Sequence, residues 1–294
     1  MRLLLALLAF LQTAPSPPTL PQGRLVCEVP VRKILLSELG LPEGSRPRDM
    51  ALTKSKIWIL FEPALLVELP RQSKELQEME EEIEMVYGAK GDVWETLSVS
   101  PRDGSLWLAS STAPRLWHKP PLGRVRPVRV AQAKEGGFRD VVARWDGIYI
   151  APTSCNGSSL WRVDPSGKLL GTTLPQAACP PVDLETDWSG SAWALLPETG
   201  ETFTLSSGDR WAPGKTSSPW PQRAGPFRGW FFWGTEPVGM GGEGETVLVR
   251  GAEPLREDCG EGNRLLRVAG DARGWAALTR DWLLLGEHAV ESTE

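Results

Sequence analysis

The stretch Arg102 to Ser111, "RDGSLWLASS", decides the fold. Asp103-Gly104 is a favoured tight-turn pair, and the residues after it alternate about Trp107 in the manner of a strand. The same shape returns as "KSKIWIL" at Trp58, "DGIYIAP" at Tyr149 and "SGSAWAL" at Trp193, with weaker copies "RGWFFW" at Trp230 and "RGWAAL" at Trp275. Successive marker aromatics stand about 37 to 49 residues apart, the period of a four-stranded propeller blade. A solenoid of helix pairs has a similar period, but these segments alternate with period two between Gly-containing turns.

The clearest copy supplies all four strands: "FRDVVAR", "GIYIAP", "SLWRVD" and "KLLGTTL", with "DPSGK" turning between the last two. The final copy has only three, "RLLRVAG", "GWAALTR" and "DWLLLGE". Arg24 to Leu36 is otherwise unpaired and is expected to supply the fourth, closing the ring and removing its exposed edges. The expected fold is all-β: a six-bladed propeller of four-stranded antiparallel blades over residues 24–290, closed by the N-terminal strand. One segment breaks the pattern. "QSKELQEMEEEIEMVY", residues 72–87, spaces Leu76, Met79, Ile83 and Val86 as one face of a helix with an acidic opposite face, and an inserted helix is expected there.

Composition agrees. Fourteen Trp with 30 Gly and 26 Pro in 294 residues suit many short strands joined by turns. The net charge of −5 and basic residues dispersed along the chain point away from nucleic acid and from anionic membranes. The chain opens with Met1-Arg2, an apolar run from Leu3 to Leu11 and then "QTAPSPP", the pattern of a secretory signal peptide over residues 1–16. The rival reading is a buried N-terminal strand. That run is far below the roughly 20 residues of a transmembrane helix, so a secreted or periplasmic monomer without a membrane anchor is expected. In such a compartment the four cysteines are expected to pair, Cys155 with Cys179 and, by elimination, Cys27 with Cys259. Zinc is the weaker alternative, because no two stand at C-x-x-C spacing.

The quoted turns and strands, with "LWRVDPSGKL", resemble six-bladed β-propellers of the NHL and gluconolactonase-like type. That resemblance extends to the blade period and implies two classes of function, lactone hydrolases or lyases and non-catalytic binding scaffolds. For the enzymes it implies calcium or another divalent cation. Several local motifs are absorbed by the fold. "LPETG", Leu196 to Gly200, falls where a hairpin turn is due. "GMGGEG", Gly239 to Gly244, precedes the strand "TVLVR" rather than a helix and reads as a loop. "NGS" at Asn156 is both a sequon and a turn pair. A Ser-His-Asp arrangement needs a His held in a site, but His118 falls in an outer-strand region of the second blade and His288 in the C-terminal tail, and each is expected to be an ordinary exposed or packed His.

The remaining constellation stands about ten residues before each marker, at the start of the innermost strands. Asp49, Glu95, Asp140 and Asp183 occupy four copies, with Arg48 and Arg139 beside two of them, and Trp220 and Arg264 in the last two. Gathered around one mouth of the channel, these groups would bind a protein or small-molecule ligand, or supply general acid and base from carboxylates with separated pKa values. The simpler alternative is that each Asp caps backbone N–H groups.

Overall fold

In β3 (Lys56–Phe61, KIWILF) Ile57, Ile59 and Phe61 pack on one side, while Trp58 and Leu60 pack on the other. Side chains alternate across a strand, so a strand buried on both faces belongs to a sheet sandwiched between two others. The computed structural model describes residues 32–71, 83–131, 133, 136–153, 160–172, 182–196, 201–206, 210–214, 227–233, 236–241, 246–250, 253–257, 265–271 and 274–287.

Within them every sheet has four antiparallel strands. The first is β2 (Pro47–Leu52), β3, β4 (Leu65–Pro70) and β5 (Glu84–Tyr87), and the second is β6 (Thr96–Val99), β7 (Leu106–Ala109), β8 (Arg115–Lys119) and β9 (Arg126–Arg129). Then come β10 (Phe138–Arg144) to β11 (Gly147–Pro152), β12 (Trp161–Val163) and β13 (Leu169–Thr172), followed by β14 (Asp183–Thr186), β15 (Ala192–Leu195), β16 (Thr202–Ser206) and β17 (Arg210–Pro213). The next holds β18 (Phe227–Trp233), β19 (Glu236–Gly241), β20 (Thr246–Arg250) and β21 (Glu253–Glu257). In the last, β22 (Leu265–Asp271), β23 (Gly274–Thr279) and β24 (Trp282–Glu287) take their outermost strand from β1 (Arg32–Leu35). The innermost strands touch in the order β2, β6, β10, β14, β18, β22 and back to β2, which makes the six sheets the blades of a propeller around a central channel.

β1 pairs antiparallel with β24, Leu35 opposite Trp282 and Arg32 opposite Leu285, so chain from before the first marker completes the last blade. The same seam carries an ionic clasp. Arg71 donates to both Asp271 carboxylate oxygens, at 2.6 and 2.8 Å, and to the carbonyls of Thr53 and Gly274. Between blades lie apolar layers, such as Trp107, Phe138, Val141, Ile150 and Trp161 between the second and third.

Three expectations change. Residues 84–87 are not helical: β5 covers the open edge of β4, with Tyr87 opposite Leu65 and Glu84 opposite Glu68. The backbone groups along the edge of β4, which would otherwise lack partners, outweigh a helical spacing that EMVY satisfies equally well as a strand. Residues 72–82 of that segment lie outside the described residues. Trp230, aligned as a second-strand marker, lies in the innermost strand β18, because the apolar run "GWFFW" is itself the buried strand. Gly239 and Gly241 are part of β19 rather than a loop. The signal segment, all four cysteines, Asn156, Trp220, Arg264 and His288 lie outside the described residues.

Candidate functional site

Four innermost strands carry a β-bulge near their start, at Arg48, Arg139, Arg228 and Leu266. A bulge bends the strand and re-aims the side chains beside it. The residues just after it are Asp49, Asp140, Gly229 and Arg267, and opposite the corresponding second-strand positions β6 and β14 offer Thr96 and Asp183.

Asp49 is buried. Its Oδ1 accepts from its neighbour Met50 N at 2.8 Å, and its Oδ2 accepts from Leu97 N on the next blade, also at 2.8 Å. Asp140 repeats the arrangement two blades on: Oδ1 accepts from Val141 N at 2.8 Å and from Thr96 Oγ1 at 2.7 Å, and Oδ2 accepts from Leu184 N of the following blade at 2.7 Å. The two aspartates therefore tie adjacent innermost strands together through main-chain N–H groups. Glu95, one residue before Thr96, accepts from Ser111 N. Asp183 pairs with Arg139 at 2.9 Å, and Arg48 with Glu62, both arginines being about half exposed at the mouth.

Two groups in the channel are not at the positions the sequence alignment selected. Arg267 reaches Asp49 Oδ1 with Nε at 3.1 Å and bonds Glu185 with Nη2, linking β22 to β2 and to β14. Glu185 is buried two residues beyond Asp183 on the same strand face. Aligning the last copy on its aromatic places Arg264 at this station. Aligning the innermost strands on their bulges, "PRDMAL" with "FRDVVAR" and "LLRVAG", places Arg267 there instead.

Burial dominates the electrostatics. It pushes Asp140 up to about 7 against the pull of Arg267, and Asp183 pushes the same way. It pushes Glu185 up to about 8, again against Arg267, with Asp49 adding repulsion. For Arg267 the carboxylates of Asp49 and Glu185 outweigh burial and hold the guanidinium more firmly protonated than usual. An internal cation thus occupies the space between Asp49 and Glu185 in which a metal ion would need open ligands. Among the described residues no group of three or more His, Cys, Asp or Glu is placed to hold a metal ion.

Beside this layer lies a cavity of about 110 Å³, lined among others by Ser98, Glu185, Thr186, Trp188, Phe232 and Arg267. That is space for a few waters, well short of the roughly 300 Å³ at which small-molecule sites begin. Larger hollows lie on the outer face beside the start of β2: about 540 Å³ between Leu36, Pro47, Phe61 and Arg280–Trp282, and about 430 Å³ between Pro63, Leu65, Tyr87 and Lys90. The loop Pro42–Ser45 walls both, and Tyr87 is 61% exposed on the rim of the second. His118, also considered in sequence, stacks on Trp107 at 4.4 Å between centroids, in the second blade.

No protein-family model matches the chain, and no curated protein matches it in sequence. Solved structures do match in fold. YCF48 bound to D1 peptide is 14% identical with a TM-score of 0.57, over 93% of this chain and 100% of that one. A catalytically inactive virginiamycin B lyase from Staphylococcus aureus with quinupristin is 11% identical with a TM-score of 0.59, over 88% of this chain and 99% of that one. YCF48 from Cyanidioschyzon merolae is 14% identical with a TM-score of 0.51, over 85% and 98%. At these identities the likeness is one of propeller fold.

Proposed function

We propose that this chain is an exported, non-catalytic propeller that binds a protein segment on the face where its innermost strands begin. The observation that carries the reading is the use of the channel carboxylates. Asp49 and Asp140 each hold main-chain N–H groups of two strands, and Arg267 contacts both Asp49 and Glu185. Among the described residues these carboxylates are engaged within the fold, and the 110 Å³ cavity is small for a substrate. The accessible features are outside: Arg48 and Arg139 at the mouth, with the part-buried Asp183 and Glu95 beside them, and the two hollows around Pro42–Ser45. A rigid blade stack presenting loops suits recognition. YCF48, a fold neighbour, was solved with a peptide bound. Residues 1–16 serve as the export signal in this reading, and residues 24–290 as the binding domain.

The other reading is a hydrolase or lyase using Asp140 and Glu185, whose pKa values lie near neutrality. Selection of a displayed random peptide library on the purified protein, followed by titration calorimetry, separates the two. Peptides whose affinity falls at least tenfold on Tyr87→Ser or Arg139→Glu support binding at this face. Failure to enrich any peptide, together with turnover of lactone substrates that Glu185→Gln abolishes, would sink the proposal.

A further inference from the structure

From Gly104 to Lys134 the chain has no Asp or Glu, yet carries Arg115, Lys119, Arg124, Arg126, Arg129 and Lys134. In a chain with 37 acidic residues in 294 and a net charge of −5, this is a local reversal of charge. The fold places Arg115, Lys119, Arg124, Arg126 and Arg129 in the outer half of the second blade. Arg124 is exposed in the β8–β9 turn, and Arg126 and Arg129 are exposed on β9, the outermost strand. Arg102, exposed in the β6–β7 turn, belongs to the same surface: its neighbour Asp103 acts electrostatically on His118, and Arg126 Nη2 lies 3.4 Å from His118 Nδ1. Two of the cations have structural work. Lys119 is buried over the Trp58 ring at 4.7 Å, and Arg115 pairs with Asp92 at 3.4 Å. Arg102, Arg124 and Arg129 have no acidic partner among the described residues.

This arrangement costs stability. Arg115 stands directly opposite Arg129 across the β8–β9 pair, and like charges so placed repel. Charge and proline on an outermost strand blunt unwanted strand pairing, which accounts for Arg126, Pro127 and Arg129. Edge protection does not account for Leu122, whose side chain is 99% exposed in the β8–β9 turn, two residues before Arg124.

We infer that the outer half of this blade is a docking surface for an acidic protein segment, with Leu122 as apolar anchor and Arg102, Arg124 and Arg126 as partners of its carboxylates. This surface is separate from the channel mouth. Planar guanidinium forks match carboxylates with two parallel hydrogen bonds. Leu122, Arg124 and Arg126 recur at every second residue from the turn into β9, a row that fits an extended chain better than a planar bilayer, whereas Arg129 faces the other side of the strand with Arg115.

The probe is a fluorescein-labelled decapeptide alternating Glu and Leu, titrated by anisotropy into the full-length protein. Binding is expected, weakening at least tenfold between about 50 and 300 mM salt because exposed charges are screened. Arg124→Glu with Arg126→Glu should weaken it at least tenfold and Leu122→Ser several-fold, while Lys33→Ala, exposed on β1 of the last blade, leaves it unchanged. A matching Gln-Leu peptide should not bind. Thermal melts equal to wild type establish that the variants are folded, these positions being exposed. The inference is overturned if the charge-reversed protein binds the peptide as wild type does. It is equally overturned if wild type ignores the peptide at about 100 μM, whether or not it then sediments with phosphatidylserine vesicles or retains an oligonucleotide.

Discussion

Asp140 and Leu184 lie on neighbouring blades, and the Asp140 carboxylate accepts the Leu184 N–H at 2.7 Å. Asp49 makes the same reach to Leu97 at 2.8 Å. In each case the aspartate follows a bulge and also caps its own neighbour's N–H, so one side chain fixes the local bend and the spacing to the next blade. Replacing Asp140 by Ala orphans the Val141 and Leu184 N–H groups and the Thr96 hydroxyl. Stranded buried donors cost about 1–3 kcal/mol apiece. Asp140→Ala should therefore lower the urea midpoint markedly, and Asp140→Asn, which keeps one acceptor oxygen, less so. Equal midpoints for Asp140→Ala and wild type would show that the clasp contributes nothing.

Arg267 couples three blades through Asp49 and Glu185. Removing one member of a buried ionic set leaves the others uncompensated, at about 3–5 kcal/mol, whereas removing a charged pair together is often far cheaper. Arg267→Met should be among the most damaging single substitutions in the channel. Adding Glu185→Gln to it should restore part of the loss. A double-mutant cycle in chemical denaturation reads the coupling, and strict additivity would contradict it.

The raised carboxylates set a pH dependence. Asp140 titrates at about 7 and Glu185 at about 8 in the fold, against roughly 4 in the unfolded chain. The folded protein thus holds more protons than the unfolded one between about pH 4 and 8, and stability falls as pH rises through that window. Melting should be higher near pH 5 than near pH 8.5. Glu185→Gln, which cannot ionise, should flatten the curve, and a slope unchanged by that substitution would assign the effect to other groups.

How far the sequence carried these conclusions differs by element. "FRDVVAR" through "KLLGTTL" was legible as a blade because turn residues and alternation agree at every step. Arg32–Leu35 was legible because the last copy lacked a strand. Trp230 misled because "GWFFW" is apolar throughout, so nothing in it distinguishes a first strand from a second. Residues 84–87 misled because four residues satisfy both periodicities, and only the open edge of β4 chooses between them. At the channel, Asp49 and Asp140 were found from their spacing, but their partners are backbone N–H groups, which leave no mark in sequence. Arg267 was displaced because the last blade is offset relative to its aromatic, an offset visible only once bulges are compared.

The ring's seam is the final test. β1 and the Arg71–Asp271 clasp join the first and last blades, and without β1 the apolar strand β24, "WLLLGE", would become an open sheet edge. Such an edge is a template for pairing with another chain. A variant lacking residues up to Leu35 should consequently aggregate or dimerise at concentrations where the full chain does not, as light scattering behind a sizing column would report. Arg71→Ala should act differently. It removes one fork of hydrogen bonds while leaving β1 in place, so it should cost about 1–3 kcal/mol without changing the elution position. If the truncated chain ran as a monomer with an unchanged melt, β1 would not be the element that closes the propeller.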